Sequence, residues 1–172
     1  MSKIEKPIKF KKNLVFKRIV FIIMILITFY IIFNFSAQNG EESGNISKKI
    51  TEFVVEILSK IKTMNTTSKL YYIERLHPII RKLAHFSIYT VVGFSLMGFM
   101  CTFDMKNIYK FITSLVIGVI YAASDEIHQG LVPGRGPSIK DVLIDSAGVL
   151  TGIFILITLI VFVESIVNWL KR

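Results

Sequence analysis

Four apolar runs decide what this chain can fold into. They cover residues 19–35, 83–103, 108–124 and 142–163, each about long enough to cross a hydrocarbon layer as a helix. A segment in lipid must bond its own backbone N–H and C=O groups, so such runs become helices rather than open strands. The expected fold is therefore all-α: a polytopic membrane protein with four transmembrane helices. At 172 residues the chain is one domain's worth of length, and its 52% hydrophobic content is too high for a soluble domain of that size.

Charge orients the spans. Residues 1–18 hold Lys3, Lys6, Lys9, Lys11, Lys12, Lys17 and Arg18 against Glu5 alone, which places a basic N-terminus on the cytoplasmic side. Such a start followed by an apolar run also suits a signal peptide. The run is long for that, however, and bulky Phe35 ahead of Ser36-Ala37 spoils a small-x-small cleavage site. An uncleaved first span is the expectation. The expected layout is then a cytoplasmic N-terminus over 1–18, a membrane domain over 19–163 and a cytoplasmic tail over 164–172. Lys106, Lys110, Lys171 and Arg172 fall inside, as the positive-inside rule asks. The formal net charge of +9 belongs to these membrane flanks, so anionic lipid explains it and no nucleic acid partner is expected. The one cysteine, Cys101, excludes a disulfide framework within the chain.

The first outer loop, 36–80, carries Ile46, Ile50, Phe53, Val54, Ile57, Leu58 and Ile61 on one helical arc, with Lys48, Glu52, Glu56, Lys60 and Lys62 elsewhere. This predicts an amphipathic helix over 46–62, too charged to span. It suits packing on the protein and lying on the membrane surface equally well. Pro78 suits the first turn of the second spanning helix.

Ionisable residues gather at the outer ends of spans two to four, where their presence beside lipid marks a functional site. Arg81, Lys82, His85 and Tyr89 share one helical side. Tyr121, Ser124, Asp125, His128 and Gln129 share another, with Glu126 about a third of a turn away. Ser138, Asp141, Asp145, Gly148 and Gly152 share a third, and Gly148-x-x-x-Gly152 lets a neighbouring helix approach that face closely. Between spans three and four, Pro133-Gly134 predicts a type II turn, and Ser138 with Asp141 predicts a helix N-cap. Arg135, on the tip between them, presents a fork suited to phosphate or carboxylate.

Taken together, Phe35-Ser36-Ala37-Gln38 with Ser43 and Ser47, Arg81-Lys82-x-x-His85-Phe86-x-x-Tyr89, Ser124-Asp125-Glu126-x-His128-Gln129 with Pro133-Gly134-Arg135, and Asp141 and Asp145 ahead of Gly148 resemble the VanZ-like family. The resemblance covers about 19–163. It implies a bacterial cytoplasmic-membrane protein that bears on teicoplanin-type glycopeptide resistance. It supplies no biochemical activity and no cofactor.

Three readings follow. In the first, a pocket of Arg81, Lys82, His85, Tyr89, Ser124, Asp125, Glu126, His128, Gln129, Arg135, Asp141 and Asp145 binds an anionic ligand. Membrane lipid, a lipid-linked envelope precursor and a lipoglycopeptide are the candidate partners. In the second, His85, Asp125, Glu126 and His128 act on a lipid headgroup by acid/base or metal chemistry, the former since burial moves pKa values toward neutrality. In the third, the chain is a structural partner in an envelope complex. Asp125, Glu126, His128 and His85 are adequate zinc ligands by type, but no diagnostic spacing is present, and no metal is expected. The nucleophile-elbow motif is also missing.

Overall fold

The computed structural model describes residues 13–171, with only the backbone of 40–43. The basic segment 1–12 and Arg172 lie outside the described residues. Five helices follow one another: α1 (Leu14–Ala37), α2 (Gly40–Ile61), α3 (Thr66–Met100), α4 (Asn107–Gly130) and α5 (Ile139–Trp169). No strand occurs among the described residues. All but α2 are long and apolar enough to cross a membrane, so the chain is an all-α, multi-pass membrane protein.

Successive spanning helices run in opposite directions, so α3 and α5 lie parallel, with Phe86 beside Gly148 and Thr90 beside Gly152. Arg18, at the start of α1, donates from Nε to Thr102 Oγ1 and from Nη2 to the Thr102 carbonyl just beyond α3, both at 3.1 Å. The start of α1 and the end of α3 therefore share one side of the bundle. Lys110, expected at the membrane surface on that side, is instead fully buried near the start of α4.

Helix α3 is the hub and touches the other four. Its core residues Tyr89, Val92, Leu96 and Met97 meet Val149, Ile153 and Leu156 of α5, with Ile32 of α1 and Ala122 of α4 closing the cluster. In lipid no hydrophobic effect drives helices together, so close contact must come from small residues. Here it does. A Cβ on Gly152 would overlap the Thr90 carbonyl, one on Gly148 would lie 2.5 Å from the Phe86 carbonyl oxygen, and one on Gly93 would overlap the Val149 carbonyl. The face of α5 that carries Asp145 is thus its packing face.

Two local features differ from the expectation. Pro78 lies inside α3 rather than in its first turn. The helix starts instead at Asn65, whose side chain caps it by accepting from Ser68 N at 2.8 Å. The strong cap lets the helix form upstream and run through the proline at the cost of one backbone bond. Helix α2 packs on α3 through Ser47, Thr51 and Val55, not through its apolar arc. Ser47 Oγ lies 2.8 Å from His77 Nε2 and fastens the pair. Ile46, Ile50, Phe53, Ile57 and Ile61 stay exposed, an apolar face that the contact with α3 leaves uncovered.

Candidate functional site

The end of α1, the ends of α4 and α5 that flank loop 131–138, and the middle of α3 meet at the other side of the bundle. The sequence explains why the loop folds locally. Gly134 has φ +80°, the left-handed conformation that glycine adopts without a Cβ penalty. Arg135 N then bonds back to the Val132 carbonyl at 3.2 Å. Ser138 Oγ accepts from Asp141 N at 3.4 Å and opens α5.

Asp125 is the centre of the buried polar network. Its carboxylate accepts from Ser36 Oγ of α1, from Tyr89 OH of α3 at 3.0 Å, and from Gln129 Nε2 one turn along α4 at 2.9 Å. Three helices are therefore tied to a single carboxylate. Asp145 contrasts with it. It is 1% exposed, neither of its oxygens has a hydrogen-bond partner, and His85 Nδ1 stands 3.8 Å from one of them. Ligand atoms of His85, Asp125 and Asp145, one from each of α3, α4 and α5, lie within 4.8 Å of one another.

Glu126 faces the same region despite its angular offset along α4. Its Oε1 accepts from Ser138 N at 2.7 Å and so holds the start of α5. Lys82 Nζ pairs with Asp141 Oδ1 at 3.0 Å, a half-exposed bridge that adds little stability. Arg135 donates from Nη1 to the carbonyls of Ser36 and Phe35 at 3.3 and 3.4 Å, which tethers the loop tip to α1. Burial, with Arg81 close by, lowers the Arg135 pKa, while Asp125 and Glu126 pull the other way. Arginine stays protonated nonetheless, so two neighbouring guanidiniums share one site.

Two candidate residues stand apart. Ser124 is exposed and bonds only to the Tyr121 carbonyl, at 2.8 Å. His128 stacks on Phe33 of α1, with ring centres 5.1 Å apart. Tyr121 stacks on Phe29 at 3.6 Å and donates to its carbonyl at 2.9 Å. This side of α4 therefore serves to hold α1.

Two cavities of about 290 Å³ each meet here. One is polar, with Arg81, Lys82, His85, Glu126, Gln129, Arg135, Asp141 and Asp145 on its walls. The other is apolar, walled by Ile31, Ile32 and Phe35 of α1, Ile46 and Ile50 of α2, and Ala84 and Ile88 of α3. Arg81, His85 and Arg135 line both. Ser36, which at the end of the first apolar run suits satisfying that helix end as well as a site role, reaches the site and donates to Asp125.

These residues lie in the part of the chain that a model of the VanZ/LLP1 family matches, residues 21–162. The chain belongs to that family. The match runs from within α1 to within α5, and every cavity-lining residue named above falls inside it. Neither the curated proteins nor the solved structures contain a match to the chain.

Proposed function

We propose that this VanZ/LLP1 protein holds an anionic amphiphile at the outer face of a bacterial cytoplasmic membrane. The headgroup sits among Arg81, Lys82 and Arg135, and the chain lies in the apolar groove against Ala84, Ile88, Ile46 and Ile50. One observation carries the reading: a polar cavity and an apolar one meet at Arg81, His85 and Arg135. A free anion needs no apolar groove, and a neutral lipid needs no pair of guanidiniums. An anion between Arg81 and Arg135 relieves their repulsion and accepts charge-assisted hydrogen bonds. A lipid-linked envelope precursor and a lipoglycopeptide both have this chemistry. Handling of such a molecule is how the protein would bear on teicoplanin-type glycopeptide resistance.

The test uses purified protein in neutral detergent with two probes, a lysophospholipid bearing a phosphate headgroup and glycerol 3-phosphate. In detergent the lysolipid tail exchanges a micelle for the groove, so its gain comes from close packing rather than from transfer out of water, and it is expected to bind several-fold more tightly than glycerol 3-phosphate. Ala84→Trp, which fills the groove, is expected to erase that difference while sparing glycerol 3-phosphate. Arg135→Gln is expected to weaken both probes about tenfold. Equal binding of a zwitterionic lysolipid would overturn the reading.

Orientation has its own test. With Cys101→Ser as background, Gly136→Cys is expected to react with a membrane-impermeant thiol reagent in intact cells, and Lys106→Cys only after lysis. Gly136 suits this better than Gly134, because a Cβ there meets nothing within 4 Å and the backbone is unstrained. The reverse labelling would put the pocket on the cytoplasmic side.

A further inference from the structure

Asp145 is the one site carboxylate that the hydrogen bonds described above leave out. It is buried, neither oxygen meets a donor, and it faces His85 and Asp125 rather than a cation at bonding distance. A bare carboxylate in such a place is costly unless something binds it. Asp125 is in the opposite condition. Ser36, Tyr89 and Gln129 orient it with three donors, and its four lone-pair positions leave one free.

We propose that His85, Asp125 and Asp145 bind a divalent transition-metal ion at the floor of the polar cavity. One imidazole and two carboxylates suit Zn²⁺, with Mn²⁺ as a competitor. Ligand atoms about 2.1 Å from a tetrahedral ion stand roughly 3.4 Å apart. The 4.8 Å limit on the present separations therefore leaves at most about 1.4 Å of closure, to which rotation of the partly exposed His85 side chain and of the two carboxyl groups contributes. Ser36, Tyr89 and Gln129 play the part of groups that orient a ligating carboxylate from behind. The remaining coordination position opens toward Arg81 and Arg135, where a phosphate oxygen completes the shell. This set differs from the one that residue types alone suggested, because His128 is turned to Phe33 and Asp145 takes its place.

The experiment uses the full chain purified in detergent, stripped with a chelator, then titrated with Zn²⁺ and separately with Co²⁺. Wild type is expected to bind one equivalent of Zn²⁺, melt at a higher temperature with it, and give visible Co²⁺ absorption bands. Asp145→Asn and His85→Ala are each expected to lower Zn²⁺ affinity at least about tenfold and to lose those bands, while Ser87→Ala retains them. Ser87 bonds only to the Leu83 carbonyl of its own helix, at 2.7 Å. If Asp145→Asn does not fold, the partly exposed His85 carries the comparison. Absence of stoichiometric Zn²⁺ binding by wild type overturns the proposal, as does equal binding by a folded ligand variant. No metal binding together with a higher melting temperature for Asp145→Asn would likewise overturn the proposal and show that the buried carboxyl is a cost to folding that no ion relieves.

Discussion

Gly152→Leu is expected to yield almost no monodisperse protein in detergent. Even a single carbon added at Gly152 overlaps the Thr90 carbonyl and comes within 2.6 Å of Phe94 N. These are backbone atoms, so no rotamer change makes room. Helix α3 is unable to retreat, because Gly93 is pressed against the Val149 carbonyl of α5 in the same contact. Overpacking a core costs about 1–3 kcal/mol where side chains are able to yield. Here the helices themselves must separate, so the cost exceeds that range. Gly152→Ala is expected to survive with a clearly lower melting temperature. Gly44→Ala, where a Cβ meets nothing within 4 Å, is expected to melt no lower than wild type, since alanine favours a helix over glycine. Fluorescence-detected size exclusion before and after heating reads all three. A Gly152→Leu protein that elutes and melts like wild type would mean that α3 and α5 do not meet at this face.

Asp125→Ala is the second large loss. It leaves Ser36, Tyr89 and Gln129 with donors aimed at nothing, and α1 loses a main tie to α3 and α4. Two of the three cross between helices, where such bonds contribute about 0.6–2 kcal/mol each, so together they amount to roughly 1–4 kcal/mol. The three losses are not independent. Tyr89→Phe on the Asp125→Ala background is expected to cost far less than on wild type, because its partner is already gone. A double-variant cycle by thermal melting in one detergent measures this coupling. Additive losses would show that Tyr89 and Asp125 act separately.

The four spans, their helical nature and the meeting of charged residues at one end were legible because each rests on short-range information: length, hydropathy and helical periodicity. Asp145 stood out for the same reason, as an acid inside the apolar run 142–163. What was not legible depends on how helices pack. The angular offset of Glu126 along α4 is real, yet α5 begins on that side, so the residue faces the cavity and caps Ser138 N. His128 follows the opposite course, since Phe33 of α1 takes its ring. Pro78 is a good start signal, but Asn65 offers a cap upstream and the helix uses it. For α2 the period was readable and the packing face was not. Its apolar arc pointed to where hydrophobic surface lies, whereas the contact with α3 runs through Ser47 and Thr51 beside it.

That displaced contact bears on how a ligand reaches the site. Because α2 rests on its small polar edge, Ile46 and Ile50 form a wall of the groove while the rest of the arc stays outward. For an amphiphile of the kind proposed, such a groove is a side door, entered by sliding within one leaflet. The passenger then never sheds its acyl neighbours for water, and two-dimensional diffusion sets its arrival rate. Occupancy follows from its mole fraction in that leaflet rather than from any aqueous concentration. A rare lipid confined to one leaflet would find this protein far more readily than its abundance in the whole cell suggests.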